Sequence, residues 1–265
     1  MLAGFRRIEE GARIQFRVVV AVMLRELHTR FGRHHLGYMW VFLEPMILGG
    51  CIALMHSVSG HALPGGMDIA AFYIVGYTPY YLFRSILNRA SNTVQANLPL
   101  FYHRQVTYMD VMIARHALDC ATVIIAVFIM IAFLAMLGGA MPHDSLKIVG
   151  GIVIMAAFCH GFAMLLLAAT IWGHENVERV VHPFTYLMIP FTGAFFMIWW
   201  LPTEAQSIAL LNPTIHMFEM IRDGQFGPLV PYHWDLGYML AWTAALNVLG
   251  MLAMRAVKGR LAASH

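Results

Sequence analysis

The stretch ALDCATVIIAVFIMIAFLAML, residues 117–137, decides the fold class. Asp119 near its start is its one charged residue. At about 1.5 Å per residue, a run of about 20 apolar residues crosses a hydrocarbon core about 30 Å thick. The apolarity is continuous rather than alternating. Lipid offers no partner to backbone N–H and C=O groups, so the stretch reads as a helix and not as a barrel strand.

Working outward, residues 146–172 repeat the pattern, and four more apolar segments stand between charges and turn residues: Tyr38 to Val58, Ile69 to Leu87, His182 to Leu201 and Leu236 to Met254. Six spans predict an all-α polytopic membrane protein, with a six-span domain over 38–254 flanked by residues 1–37 and a basic tail, 255–265. Composition agrees. The 265 residues are 60% apolar and 12% charged, against roughly 45–50% and about 25% in soluble domains, and the mean hydropathy is +0.66. These values disfavour a disordered chain, a basic nucleic-acid binder and a disulfide-stapled secreted domain. Cys51, Cys120 and Cys159 each fall in apolar runs and read as small core residues. The early apolar run Val18 to Leu24 is short and lacks a small-residue cleavage pattern, so no cleaved signal peptide is expected.

Cations set the orientation. Residues 1–37 carry seven Arg, the connection Asn88 to His116 carries Arg89, Arg104 and Arg115, and the tail carries Arg255, Lys258 and Arg260. The alternate connections are poor in cations: Pro202 to Asp235 sets Arg222 against Glu204, Glu219, Asp223 and Asp235. Both termini are therefore expected in the cytoplasm.

From Phe5 to Phe31 the apolar residues Phe5, Ile8, Ala12, Phe16, Val19, Val20, Met23 and Leu27 recur at three- and four-residue steps, with Arg6, Arg13, Arg17 and Arg30 off the stripe. Two readings are open: a helix in the inner membrane interface, or one packed on the protein's own cytoplasmic face. In the last loop Asn212 is expected to cap a helix with Pro213 at its first position. Ile215, Phe218 and Ile221 would form its apolar stripe, Glu219 could pair with Arg222, and Gly224 would end it. Such a helix would rest on the membrane or dip into it.

Three stretches resemble permease subunits of ABC transporters that export capsular polysaccharide, the KpsM type: LRELHTRFGRHHLGYMWVFLEP (24–45), LFYHRQVTYMDVMIAR (100–115) and NPTIHMFEMIRDG (212–224). The resemblance runs from about Met23 to Phe226. O-antigen and teichoic acid exporters share the same type-2 plan. The resemblance implies a homodimer of six-span subunits with a dimer of ABC ATPase subunits, moving a lipid-linked polysaccharide across the inner membrane. It also implies periplasmic co-polymerase or adaptor proteins and outer-membrane export proteins as further partners. Carried onto this chain, Leu100, Phe101, Tyr102, His103, Arg104, Gln105 and Val106 would form the coupling helix on the ATPase, and the helix from Phe5 the interface helix. Tyr108 and Met109 depart from the pattern, in which a proline is expected nearby. No G-x-x-x-x-G-K-[ST] loop occurs, so no cofactor is expected on this chain, and ATP and Mg would sit on the partner. No catalytic residue and no nucleic-acid partner are expected.

Sugars stack C–H faces on aromatic rings without fixed register, which suits a sliding polymer. Candidate glycan-binding residues are Tyr73, Tyr77, Tyr80 and Tyr81 on span two and Phe191, Phe195, Phe196, Trp199 and Trp200 on span five. Helix packing and an interfacial aromatic belt are the competing roles. Arg25, Arg30, Arg33, Arg84, Arg89 and Arg104 are candidate contacts to a lipid phosphate or acidic glycan, against ordinary positive-inside topology. Asp119 follows Arg115 and His116 closely enough for a local ion pair. An ion-coupled carrier using Glu44 and Asp119 is the alternative transport mechanism, and a membrane enzyme on lipid-linked sugar finds no paired-carboxylate or metal motif. Haem between spans would need two histidines at matched depth, yet His160 alone falls near a span centre, and adjacent His34 and His35 point apart. Small residues at Gly49, Gly50, Gly150, Gly151, Gly161, Ala168, Ala169, Gly237, Ala241 and Ala245 favour close helix packing.

Overall fold

A computed structural model describes the backbone of residues 2–31, 35–59, 63–93, 106–174 and 176–263, and side chains over 11–28, 43–44, 46–59, 63–93, 106–174 and 176–257. Among them the chain is helical, without strands. The helices are α1 (Leu2–Phe31), α2 (His35–Val58), α3 (Ile69–Ala90), α4 (Tyr108–Met136), α5 (Ser145–Ile171), α6 (Val177–Leu187), α7 (Thr203–Ala209), α8 (Pro213–Phe226) and α9 (Leu236–Ala263).

Their starts follow from side-chain caps, which satisfy backbone N–H groups that a helix leaves open. Asp68 accepts from Ala71 N at α3, Asp144 from Leu146 N and Lys147 N at α5, and Asn212 from Thr214 N at α8 with Pro213 in first position. At α4, Thr107 and Asp110 form a reciprocal capping box, which sets this turn without the expected proline.

Three described helices are long and apolar enough to cross a membrane: α4, α5 and α9 over Leu236–Val257. The 29 residues of α4 reach about 43 Å. The described apolar part of α2, Met46–Val58, is shorter. In the packing, α3 touches α2, α4 and α5, while α5 carries α9 and α8. Close approach uses several of the small residues: a Cβ on Gly161 would lie 2.7 Å from Asn247 N, and one on Gly151 2.5 Å from Ile221 Cγ1. Cys120 and Cys159 are buried as expected, whereas Cys51 is exposed.

The amphipathic α1 divides its stripe. Val19 and Met23 pack with Val22 against Val111 and Ala114 of α4, while Phe16 is 70% exposed in a groove it lines with Ala12, Arg13 and Arg17.

Two segments differ from their sequence reading. His182 to Leu201 is not one helix. α6 ends at Leu187, a 3₁₀ turn follows over Ile189–Phe191 with Pro190 in it, Gly193 takes φ +87, and a second 3₁₀ turn covers Ile198–Trp200. Pro190 supplies no N–H, and the positive φ at Gly193 turns the chain off the helix axis. The helix of the last loop, α8, does not lie on a surface, because all of its residues, Pro213 to Phe226, are buried. It also runs through Gly224 and stops at Gly227, which has φ +52. Gly224 serves contact instead: a Cβ there would lie 2.8 Å from Asp144 O.

Candidate functional site

The two departures meet. Non-helical backbone inside an apolar bundle has carbonyls with no intrahelical partner, each costly when buried alone. Arg222 of α8 answers this cost. Its Nη1 donates to Gly193 O at 2.6 Å and to Phe196 O, and its Nη2 donates to Ala194 O at 2.6 Å. The planar guanidinium suits three acceptors on one turn of chain. It also lies 4.1 Å from the centre of the Phe72 ring, whose ring in turn stacks on Trp200 at 5.2 Å.

Glu219 does not simply pair with Arg222 as the sequence suggested. Its Oε1 accepts from Ile198 N at 3.0 Å, pinning the second 3₁₀ turn. Its Oε2 is buried without a hydrogen-bond partner. Gly76 of α3 closes the assembly, because a Cβ at that position would stand 2.2 Å from Ala194 O.

The candidate aromatics of α3 and of 191–200 are brought together by this loop. Phe195 lies 6.0 Å from Tyr73 and 6.2 Å from Tyr77. Tyr73 also stacks on His56 at 3.9 Å. Tyr77, Tyr80 and Phe83 continue along α3 at ring separations of 6.3 and 6.0 Å. Tyr80 is buried and its hydroxyl donates to Thr185 O of α6. Tyr73 and Tyr81 are half-buried, Phe191 is exposed, and Phe196, Trp199 and Trp200 are half-buried.

Among the candidate cations, Arg84 sits 4.9 Å from the Tyr186 ring centre. Arg89 pairs with Asp119 at 3.1 Å and donates to Ser85. This corrects the local pairing expected for Asp119, since Arg115 reaches instead to Glu26 of α1 at 3.2 Å. Each neighbouring helix offers an opposite charge within reach: Arg89 of α3 to Asp119, and Glu26 of α1 to Arg115. Arg25 is half-buried on α1. Val106 is half-buried against the Val22, Val111 and Ala114 cluster. Leu100 to Gln105, Arg33 and the side chain of Arg30 lie outside the described residues.

The histidine depth expectation is also corrected. His116 and His160 meet, with Nδ1 atoms 2.8 Å apart. One ring donates to the other, which leaves no gap for an iron between them. Among the described residues no group of three or more His, Cys, Asp or Glu side chains is placed to hold a metal. Sequence reasoning missed the clamping role of Arg222 and the close approach at Gly76; the signal available for Arg222 was its place four residues after Phe218 and seven after Ile215, on the apolar face of α8.

The ABC-2 type transporter family pattern matches residues 17–226, most of the chain and all of the elements just described from α2 to α8. The chain belongs to the ABC-2 type transporter family. Within it, the chain is 32% identical over 248 residues to the capsule polysaccharide export inner-membrane protein BexB of Haemophilus influenzae, covering 93% of each chain. It is 32% identical over 243 residues to the capsule polysaccharide export inner-membrane protein CtrC of Neisseria meningitidis serogroup B, covering 91% of each. It is 26% identical over 254 residues to the polysialic acid transport protein KpsM of Escherichia coli, covering 92% of this chain and 95% of the relative. The family resemblance read from the three sequence motifs is therefore correct. The Arg222 loop clamp and the aromatic ladder lie inside the matched region of this ABC-2 family member.

Proposed function

We propose that this chain is the membrane-spanning subunit of an ATP-driven exporter that moves lipid-linked capsular polysaccharide across the bacterial inner membrane. The observation that carries this function is the end-to-end similarity, 93% of both chains, to a capsule polysaccharide export protein. Two copies form the translocation path. Each crosses the membrane six times with both termini in the cytoplasm, the fifth crossing being the broken segment of α6 and the clamped loop. A dimer of separate ATPase subunits binds ATP and Mg, and this chain binds no cofactor of its own. Periplasmic adaptor and outer-membrane export proteins continue the route.

The residues take roles in keeping with that path. Tyr73, Tyr81 and Phe195, together with Trp199 and Trp200, offer ring faces to a sliding glycan, with the buried Tyr77 packed behind them. Arg25, Arg84 and Arg104 contribute positive charge toward the phosphate of a lipid anchor or an acidic sugar. Leu100 to Val106 dock on the ATPase.

The test is genetic complementation. In a bacterium that lacks its capsule-export permease, this chain and its cognate ATPase should restore surface glycan. Replacement of Phe101, Tyr102 or Arg104 by alanine should abolish export while the protein still inserts. Normal export in all three variants would refute the coupling role, and failure of the unaltered pair to restore surface glycan would refute the exporter.

A further inference from the structure

A cavity of about 430 Å³ opens on the side of the bundle, lined by α4, α5 and Asn247 of α9. Its α4 wall runs from Ile113 past Ala117 and Ala121 to Ile124. That interval covers about 16 Å at 1.5 Å per residue, close to the depth of one leaflet, half of a hydrocarbon core about 30 Å thick. Ala117 and Ala121 are exposed, as are Ile125 and Ile129 on the same helix and Val153 on α5. Both helices are long and apolar enough to cross a membrane, so the cavity opens on hydrocarbon. Spread over its length, the volume gives a mean width of about 6 Å, too narrow for a helix about 10–12 Å across with its side chains and suited to a single acyl chain.

One end of this cavity is polar. His116 and His160 both line it, with Nδ1 atoms 2.8 Å apart. His116 lies about 12 Å along α4 from Tyr108, near the edge of the hydrocarbon, where the glycerol esters of a phospholipid sit. From there Ala117, Ala121 and Ile124 of α4 and Val153 of α5 lead toward the bilayer centre as an apolar lining. The cavity thus has the polarity of one lipid: polar toward one membrane surface, apolar toward the middle. Asn247 fixes its α9 edge, donating from Nδ2 to Ala157 O and Thr243 O, both at 2.8 Å.

The histidine pair also has spare hydrogen-bonding capacity. With both imidazoles neutral, the ring that donates from Nδ1 has a bare Nε2, and the ring that accepts at Nδ1 carries its proton on Nε2. The pair therefore offers one further donor and one further acceptor, and neither Nε2 has a partner among the described residues. As a mere link between α4 and α5 it is a poor choice, because polar nitrogens left in hydrocarbon are costly and an apolar contact joins helices without that cost.

We propose that this cavity is a phospholipid site, in which one acyl chain lies along Ala117 and Ala121 and the Nε2–H of the His116–His160 pair donates to the ester carbonyl of that chain. The lipid comes from the leaflet at the Tyr108 end of α4. That is the cytoplasmic leaflet in the topology proposed above, but the site depends neither on that topology nor on the exporter function.

The full chain with its ATPase is placed in nanodiscs of phosphatidylethanolamine and phosphatidylglycerol, with a phosphatidylethanolamine probe that carries a diazirine midway along one ester-linked chain. Light should place the label on peptides covering 113–124 and 153–160. Ala121→Trp, which fills the cavity from an exposed position, should cut that labelling about tenfold, whereas Ile125→Trp, one turn further and outside the lining, should leave it unchanged. A probe with ether in place of ester linkages lacks the carbonyl and should label about fivefold less, the loss of one hydrogen bond. Replacing both His116 and His160 with Phe should erase the difference between the two probes. Label spread evenly over the lipid-facing helices, or reduced alike by Ala121→Trp and Ile125→Trp, means annular lipid only and overturns the site. Equal labelling of the unaltered chain by the ester and ether probes overturns the histidine contact. A disulfide between two copies at Ala121→Cys would show that a second chain covers the cavity, and loss of label on adding lipid-linked glycan would show that the glycan's anchor occupies it; either result overturns the phospholipid.

Discussion

Replacing Arg222 with leucine removes the donor for three buried carbonyls, those of Gly193, Ala194 and Phe196. An acceptor left unsatisfied in the interior costs about 1–3 kcal/mol, and the guanidinium over Phe72 adds up to about 2 kcal/mol when desolvated. Against these stands relief from burying a charge, several kcal/mol in effect, so the net loss is about 4 kcal/mol, within the range for stripping one partner from a buried charged network. At about 2–4 °C per kcal/mol for a chain of this length, the unfolding midpoint in detergent should fall by about 8–16 °C. Tryptophan fluorescence reads the site directly, because Trp200 stacks on the ring that Arg222 covers. Arg222→Lys, with one compact donor head in place of a planar fork, should lose less but should not match the unaltered chain. A leucine variant that melts within about 1 °C of the unaltered chain would refute the clamp, since it would price the three carbonyls and the charge at well under 1 kcal/mol.

Glu219→Gln should be tolerated to within about 1 kcal/mol, because Oε1 alone is hydrogen-bonded and the amide oxygen of glutamine can accept from Ile198 N in its place; Glu219→Ala, which abandons Ile198 N, should lower the same melting midpoint clearly. Gly76→Ala places a methyl 2.2 Å from Ala194 O, and the forced shift should cost about 1–3 kcal/mol and reduce the yield of folded protein in membranes; an alanine variant that folds and melts like the unaltered chain would show that α3 and the loop do not meet as described.

Much of the fold was legible because continuous apolarity and capping residues act locally. The helices α4, α5 and α9 and the Asn212 cap with Pro213 at the first position of α8 follow from short-range pattern. The broken segment from α6 to Trp200 was not legible, since hydropathy measures transfer to lipid and is blind to whether Arg222, more than twenty residues away, can take over the carbonyls of a bent chain. Pro190 and Gly193 were the local hints. The exchange of partners at Asp119 and Arg115 shows the same limit: spacing on one helix suggests an ion pair between them, and neighbouring helices supply better ones. The aromatic candidates were found by residue type, but the pairing of Phe195 with Tyr73 and Tyr77 depends on where the loop folds back. His116 and His160 met for the same tertiary reason, through the crossing of α4 and α5.

The central claim is that this chain works only with a separate ATPase. Isolation of the tagged chain from native membranes in mild detergent, with the co-purifying proteins identified by mass spectrometry, tests it most directly. A nucleotide-binding subunit should accompany it in one-to-one ratio, with ATP hydrolysis that disappears when Leu100 to Val106 is disrupted. A chain that isolates reproducibly without such a subunit, under conditions that keep other membrane complexes whole, would contradict it.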